Sequence, residues 1–399
     1  MINFYKFIML NLLFFISTAY ASVNNFDVDL CDTVETSKSN TMKKSCLYLV
    51  KSNVNGKVHL IGNELIDEIN NNFKNYDLLI IPAGKEFTVT RAINIPKFVS
   101  PDSGSTPRGY KIIGESPFDA TKPIITFDST NSNGKYLFDF NYNQDTSHKN
   151  FSVGNLIFKT IGCNSSEDCG IIRYRGLGSH IYNNDFSSQG KCINHVLRNY
   201  SGRDSNSVPE GVENHFYNNK FNCFESFSTS YYINDSVGNK SFSAENFNTP
   251  TDQFIINNTF ECNEVGPCIN YRGFTGSLIK GNTFNLNKEG SYAFSLDNDH
   301  LVQIIDNKFT SNYECPIKFM VLIYSHYDED GKVITLLDND FSSTKACKAS
   351  IYIGNNNSIG GFQLLNASGN GELRCYKQSK NNYANYKDIP LCDSDKIYQ

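Results

Sequence analysis

The chain carries HIYNNDF at residues 180–186, and this phrase returns as HFYNNKF at 215–221 and FIINNTF at 254–260. Three further copies follow it: LIKGNTF at 278–284, QIIDNKF at 303–309 and TLLDNDF at 335–341. The asparagines of the shared Asn-x-Phe recur at intervals of 35, 39, 24, 25 and 32 residues. A repeat of this period, with loops of variable length inserted, is typical of a solenoid.

The repeated phrase has a physical explanation as the corner of a β-coil. An asparagine tolerates the left-handed backbone that turns a strand, and its amide can bond the amide of a stacked neighbour. The phenylalanine that follows would face inward and stack on its counterpart in the next coil. Short alternating runs such as CINYR at 268–272 lie between the phrases, and helical periodicity is almost absent. The sequence therefore predicts an all-β fold, a right-handed parallel β-helix.

One segment is helical in pattern, NELIDEINNNF at 63–73. Its apolar residues share one helical face: Leu65, Ile66, Ile69 and Phe73. Asn63 is placed to cap this helix, which would cover the open end of the solenoid. We expect a signal peptide at 1–21, an N-terminal segment with the capping helix at 22–76, the β-helix at 77–370 and a C-terminal cap or tail at 371–399.

The first residues have the pattern of an export signal. Lys6 precedes the apolar run from Phe7 to Ile16, and Ala19-Tyr20-Ala21 matches a cleavage site. No later stretch approaches the roughly 18 apolar residues of a membrane span. We therefore expect a protein that is secreted, periplasmic or extracellular, without a transmembrane segment.

Charge and cysteine content limit the partners and the compartment. A formal net charge of −5 gives nucleic acid no general attraction, so no nucleic-acid partner is expected. The 12 cysteines are an even number in a chain with an export signal, which favours disulfides. Two loops of equal spacing could each close locally, one between Cys163 and Cys169 and one between Cys262 and Cys268.

The opening coils resemble a known superfamily. LLIIPAGKEFTV at 78–89, YKIIGE at 110–115 and NFSVGNLIFK at 150–159, with the repeats after them, look like the pectate-lyase-like right-handed parallel β-helix superfamily. The resemblance covers about residues 60–370. It implies a protein that degrades or binds polysaccharides, and some members are adhesins.

Residues 249–284 are similar to the catalytic region of the chondroitinase B and alginate lyase family. In that family a lysine removes the C5 proton, an arginine one coil later assists, and a calcium ion held by carboxylates neutralises the uronate. Arg272 falls on the family's arginine, and Glu245 is the one carboxylate close to the expected calcium ligands. The family's lysine falls near Thr249, so the chain lacks the catalytic lysine at that point.

Two near-copies, one starting at Cys169 and one at Cys268, suggest a binding surface. Strand alternation brings four residues to the outer face if Ile172 and Tyr174 lie inside: Arg173, Arg175, Asn270 and Arg272. Asn194, in a partial third copy, would join them. Such a row suits carboxylates or sulfates, because guanidinium groups bind them bidentately. Alternatively, the arginines are solvated or paired with acids of a neighbouring coil.

A second candidate centre is Asp297-Asn298-Asp299-His300, at the end of a predicted strand about one coil after Arg272. Asp297, Asp299 and His300 could serve as acid and base in glycoside hydrolysis, or the carboxylates could ligate calcium. The alternative is an ordinary polar turn.

These features predict a secreted polysaccharide-active protein with an acidic polysaccharide as its partner. A lyase on a uronate-containing glycan, with calcium as the implied cofactor, is favoured over a glycoside hydrolase of the same fold. A non-catalytic glycan-binding protein or adhesin is the alternative, so the sequence leaves open whether the chain is an enzyme.

Overall fold

The six repeated phrases form corners between two sheets of a parallel β-helix. In the computed structural model, each central coil supplies one strand in turn to sheet 1, sheet 2 and sheet 3. Neighbouring strands in these sheets pair in parallel throughout the described residues. Parallel strands joined by a crossover are right-handed in nearly all proteins. The predicted right-handed parallel β-helix is confirmed.

The structure describes residues 46–48, 50–53, 56–59, 62–72, 78–94, 111–115, 121–130, 132, 136–139, 148–149, 151–162, 170–174, 176–177, 179–188, 193–201, 214–222, 224–231, 253–263, 265–272, 277–297, 302–311, 321–325, 333–340, 351–355, 363–365 and 376–378.

Within the described residues, sheet 1 has eleven strands: β1 (Cys46–Tyr48), β4 (Leu78–Ile81), β7 (Lys111–Gly114), β11 (Ser152–Gly154), β15 (His180–Tyr182), β18 (His215–Tyr217), β21 (Phe254–Ile256), β24 (Leu278–Lys280), β27 (Val302–Ile305), β30 (Val333–Leu337) and β32 (Gln363–Leu365). The described part of sheet 2 has eight strands: β5 (Glu86–Val89), β8 (Ile124–Asp128), β12 (Ile157–Ile161), β16 (Asp185–Ser188), β19 (Lys220–Asn222), β22 (Thr259–Cys262), β25 (Thr283–Leu286) and β28 (Lys308–Ser311).

Among the residues that the structure describes, sheet 3 has ten strands: β6 (Ile93–Asn94), β9 (Tyr136–Asp139), β13 (Gly170–Tyr174), β17 (Ile193–Ser201), β20 (Phe224–Tyr231), β23 (Gly266–Arg272), β26 (Ser291–Asp297), β29 (Val321–Ser325), β31 (Ile351–Asn355) and β33 (Tyr376–Gln378). Outside the three sheets, β2 (Val50–Asn53) and β3 (Gly56–His59) form an antiparallel hairpin, and β10 (His148–Lys149) pairs in parallel with β14 (Gly176–Leu177).

Two residues connect each strand of sheet 1 in the repeats to the next strand of sheet 2. The first has a left-handed backbone, with φ of 52° at Asn183, 57° at Asn218 and 55° at Asn257. Later coils place Gly281, Asp306 and Asp338 there, with φ of 66°, 56° and 54°. Gly, Asn and Asp are the residues that tolerate this conformation. The sequence predicted the left-handed turn one residue too late, at the asparagine of Asn-x-Phe.

The second corner residue is that asparagine, and it forms a buried ladder through the solenoid. The backbone N–H and Nδ2 of Asn258 both donate to Asn282 Oδ1, at 2.8 and 3.1 Å. Nδ2 of Asn258 also donates to the Phe216 carbonyl at 2.8 Å. The other members of the ladder are Asn184, Asn219, Asn307 and Asn339, each at most 2% exposed. The predicted amide ladder is confirmed.

The phenylalanines after these asparagines stack along the interior. The column runs through Phe158, Phe186, Phe221, Phe260, Phe284 and Phe309. Ring centroids of neighbours lie 4.8–5.3 Å apart, and the rings are within 16° of parallel. This spacing follows that of the strands, so the coil repeat and the ring stack reinforce each other.

The predicted capping helix is α1 (Glu64–Asn72), which buries Leu65, Ile66 and Ile69. The side chain of Asn63 bonds Thr90 instead of capping α1: Oδ1 accepts from the Thr90 N–H, and Nδ2 donates to Thr90 Oγ1, both at 2.9 Å. Asn63 thus ties the helix to the chain after β5. In the described part of the chain, no helix has the length and apolarity needed to cross a membrane.

The outer face of sheet 1 carries a separate cluster of rings. His180, His215 and Phe254 share one register row and stack at 4.6 and 4.5 Å. Tyr182 and Tyr217 stack beside them at 5.1 Å. Burial, followed by the neighbouring His180, lowers the pKa of His215 to about 3. His215 is therefore neutral at neutral pH and serves packing in this cluster.

Candidate functional site

The strand register of sheet 3 assigns its two faces. Phe138 on β9 packs its ring against Phe158 of the interior stack, with centroids 5.7 Å apart, so Phe138 lies on the inner face. Ile172 on β13 is the register partner of Phe138 and is fully buried. Because successive residues of a strand alternate between faces, position 173 falls on the outer face.

One register row contains several of the residues singled out in the sequence. Arg173 pairs with Asp139 on β9 and with Arg198 on β17. Arg198 pairs with Ser228 on β20, and Ser228 pairs with Asn270 on β23. We call these five residues, Asp139, Arg173, Arg198, Ser228 and Asn270, the polar row. The register thus brings the predicted Arg173 and Asn270 into one row, three interstrand spacings or about 14 Å apart.

A second register row lies two residues further along the strands. Arg272 on β23 pairs with Asp297 on β26, and Asp297 pairs with Tyr324 on β29. A cation, a carboxylate and a phenol therefore occupy one register position on three consecutive strands. We call Arg272, Asp297 and Tyr324 the reaction row. The first two came from separate motifs of the sequence, and the fold makes them neighbours.

Asn194 belongs to the same face. It lies on β17, where His195 pairs with Gly170 and Leu197 pairs with Ile172. Position 194 therefore alternates with these inner positions and falls on the outer face. The predicted Arg175, Asp299, His300 and Glu245 lie outside the described residues, as does Thr249.

The outer face is not open along its whole length. Leu137 and Ile171 alternate with the inner residues of β9 and β13, yet both are 0% exposed. Part of the outer side is therefore covered directly beside Asp139 and Arg173. An apolar, water-excluding border of this kind lowers the local dielectric and strengthens the electrostatic interactions next to it.

Sequence reasoning missed Arg198 and Tyr324. A signal for Arg198 existed, because the segment Ile171-Ile172-Arg173 is matched by Val196-Leu197-Arg198 one coil later. A shift in the pairing of β17 with β20 falls between His195 and Arg198 and obscures that match. Tyr324 has no local motif around it, and only the register of β29 relates it to Asp297.

A disulfide bond crosses the corner that connects β22 to β23. Cys262, at the end of β22, and Cys268, within β23, are linked with their Cα atoms 5.5 Å apart. The bond closes the short loop between sheets 2 and 3 and restrains the strand that carries Asn270 and Arg272. The similar loop between Cys163 and Cys169 lies outside the described residues.

Metal ligation finds no support in the part of the chain that the structure describes. Among those residues, no group of three or more His, Cys, Asp or Glu side chains is placed to hold an ion. Glu245, the carboxylate implied by the family resemblance, is not among them. Calcium therefore stays a prediction from the resemblance.

The fold and this face define a parallel β-helix protein with a polar, arginine-bearing outer sheet. No protein-family model matches the chain, and no curated protein matches it significantly. Among solved structures, it is similar to a tailspike protein of an Acinetobacter baumannii bacteriophage, a capsular polysaccharide depolymerase, at 9% identity and a TM-score of 0.34. That match covers 89% of this chain and 66% of the tailspike chain, just under two thirds of it.

Two other solved structures are similar in the same way. One is the A-module of a mannuronan C-5 epimerase of Azotobacter vinelandii, at 13% identity and a TM-score of 0.30, covering 82% of this chain and 95% of that chain. The other is a mannuronic acid specific polysaccharide lyase from human gut microbiota, at 10% identity and a TM-score of 0.31, covering 80% and 83%. At these identities and TM-scores the matches do not strengthen the fold assignment, which rests on the three parallel sheets.

Proposed function

We propose that this chain is an exported, polysaccharide-active protein that holds an acidic glycan across the outer face of sheet 3. The supporting observation is the register that aligns Arg173, Arg198 and Asn270 in one row of sheet 3. Guanidinium groups bind carboxylates and sulfates through paired, charge-assisted hydrogen bonds. Under this proposal, Arg175 and Asn194 extend the same binding surface.

As an enzyme, the protein would be a lyase that works at the reaction row. Arg272 would bind the uronate carboxylate and stabilise the negative charge that develops as the C5 proton leaves. Asp297 and Tyr324 would exchange protons with C5 and with the leaving oxygen. The elimination breaks the C5–H and C4–O bonds, forms a C4–C5 double bond and protonates the leaving oxygen. Asp299 and His300, which follow β26 in sequence, are further acid–base candidates.

Two other functions would use the same face. A glycoside hydrolase would employ Asp297 and Asp299 as its pair of carboxyl groups. A non-catalytic binding protein or adhesin would use the polar row without turnover. The threonine near the family's lysine position favours binding alone, because a threonine hydroxyl cannot act unaided as the base that an elimination requires.

One experiment separates these functions. The purified protein is incubated with alginate, chondroitin sulfate and polygalacturonate, with calcium and with a chelator, while ultraviolet absorbance follows the unsaturated product. New reducing ends without that absorbance indicate a hydrolase, and retention on immobilised polysaccharide without either product indicates a binding protein. Failure to bind any of the three polysaccharides contradicts the proposal. A loss of turnover with the chelator would support calcium as a cofactor, and the same loss in Glu245→Gln would support Glu245 as its ligand.

A matched pair of variants tests the face itself. Arg272→Ala is expected to weaken polysaccharide binding by roughly tenfold or more, the effect of removing a hydrogen-bonded charge. Lys220→Ala is the control, because Lys220 is an exposed cation on β19 of sheet 2. Equal effects of the two substitutions would assign Arg272 a structural role.

A further inference from the structure

We infer that Asn257 is a modification site, the acceptor of an N-linked glycan. The inference goes beyond the proposed activity and shares with it only the export signal predicted at residues 1–21. The acceptor lies at the corner between β21 in sheet 1 and β22 in sheet 2, away from the strands of sheet 3 that carry the polar row and the reaction row.

The sequence at this corner has the pattern of a glycan acceptor. Asn257, Asn258 and Thr259 form an Asn-x-Thr triplet without proline in the middle position. Such a triplet belongs on the surface of an exported protein, because the attached sugars are bulky and hydrated. At the same position of the two preceding repeats, Asn183 and Asn218 have no Ser or Thr two residues later. The triplet therefore distinguishes Asn257 from its structural counterparts.

The structure exposes the acceptor and buries the residues on both sides of it. Asn257 is exposed, whereas Ile256 is 8% exposed and Asn258 is 1% exposed. Within the part of the chain that the structure describes, the side chain of Asn257 forms no hydrogen bond. Its counterpart Asn183 does form one, because Nδ2 of Asn183 donates to Asn155 Oδ1 at 2.6 Å. A sugar attached to Nδ2 of Asn257 therefore displaces no hydrogen bond of the fold.

The next coil leaves space beside the acceptor. Gly281 follows Asn257 in the row of left-handed corner residues, with φ of 66°. A Cβ atom at Gly281 would overlap Oδ1 of Asn257, so the amide lies over the glycine. Neighbouring coils are about 4.8 Å apart, and a sugar ring with its hydroxyl groups is wider than that. Gly281 is the one glycine at this position of the six repeated phrases, directly beside the triplet.

The transfer uses a donor of known chemical class, an oligosaccharide linked to a lipid through pyrophosphate, and a membrane-bound transferase. Nδ2 of Asn257 bonds to C1 of the first sugar while the bond between C1 and the pyrophosphate oxygen breaks. The lipid pyrophosphate leaves with both electrons of that bond, and one amide proton passes to a base of the transferase. The hydroxyl of Thr259 is the group by which the transferase recognises the triplet.

Peptide mass spectrometry tests the inference on the full chain, expressed through the secretory pathway of a eukaryotic host that carries such a transferase. An amidase that removes N-glycans converts each glycosylated asparagine to aspartate, so position 257 is identified separately from other acceptors. Conversion at position 257 is expected in the wild type and should be abolished in Thr259→Ala. Thr259→Ser keeps the hydroxyl and should retain conversion. Asn218→Gln, at an exposed corner without the triplet, is the matched control and should also retain it.

The unfolding temperature tests the space at Gly281. The glycosylated wild type should unfold at the same temperature as the unglycosylated Thr259→Ala or at a higher one. A lower temperature for the wild type would contradict the inferred position, because the glycan would then strain the corner.

The inference is wrong if position 257 is unconverted in the wild type, whether the chain is secreted or retained in the cells, or if Thr259→Ala is converted equally. Polysaccharide binding and turnover are measured separately on Thr259→Ala. Failure of the glycan site therefore leaves the proposed function standing, and failure to bind polysaccharide leaves the glycan site standing.

Discussion

Asn258 lies between two other asparagines of the ladder and is bonded to both. Its Oδ1 accepts from the backbone N–H and Nδ2 of Asn219, at 2.9 and 3.0 Å, while its own N–H and Nδ2 donate to Asn282. One buried side chain thus joins three coils. The Phe216 carbonyl also depends on its Nδ2.

We predict that Asn258→Ala lowers the free energy of unfolding by roughly 3 kcal/mol or more, because it leaves several buried polar groups without partners. Denaturant titration measures this. The control is Asn263→Ala, which removes a half-buried amide that donates to Asn222 at 3.0 Å and accepts from Asn287 at 3.1 Å, and this variant should cost about 1 kcal/mol. Equal losses for the two variants would mean that the ladder adds little to stability.

The repeated features were predictable because the solenoid copies them. Six versions of one phrase identified the buried asparagines and the phenylalanine stack, since each copy has the same physical task. The left-handed residue was misplaced by one position because two adjacent corner residues are both commonly asparagine, as at Asn183 and Asn184. Burial separates them, and burial cannot be deduced from so short a pattern.

The candidate site was harder to predict, because its members are neighbours only through strand register. Arg272 and Asp297 lie in motifs that share no phrase, and loop length decides which of their neighbours align. The irregular pairing of β17 concealed Arg198. A register depends on how every loop closes, so the sequence identified the strands but not which residues face each other across them.

Gly154 and Tyr182 provide a prediction about packing on the outer face of sheet 1. They are register partners on β11 and β15, and a Cβ added to Gly154 would overlap the ring of Tyr182. We predict that Gly154→Ala lowers the free energy of unfolding by about 1–3 kcal/mol, the range for overpacking. Tyr182→Leu in the same chain should recover part of that loss, which a double-mutant cycle measures. Strictly additive effects would contradict the overlap.

The shifted pKa of His215 makes the free energy of unfolding depend on pH. Its pKa is about 3 in the folded protein, against about 6.5 in an unfolded chain. Between these values the unfolded state binds the extra proton, so stability is complete above pH 6.5 and falls as the pH drops toward 3. His215→Phe should reduce this loss, and the ring stack should persist because Phe254 occupies the same row one coil later.

The measurement for His215→Phe is the midpoint of denaturant unfolding at pH 7 and at pH 5, in the wild type and the variant. The wild type should lose more stability over this interval. The same loss in both proteins would show that a group other than His215 causes the pH dependence of unfolding, because the variant has no ionisable side chain at position 215.

Tyr324 provides a prediction about proton transfer in the proposed reaction. It follows Asp297 in the reaction row, as Asp297 follows Arg272. If the phenol exchanges a proton with the substrate, Tyr324→Phe should lower kcat about 100-fold or more while polysaccharide affinity stays unchanged. Tyr352→Phe is the matched control, because Tyr352 pairs with Leu322, two residues before Tyr324, and so lies outside the reaction row. Full turnover by Tyr324→Phe, with turnover lost in Arg272→Ala, would contradict this role for the phenol. The proton transfer would then belong to Asp297, Asp299 or His300. Arg272 itself cannot be the base, because its guanidinium group stays protonated.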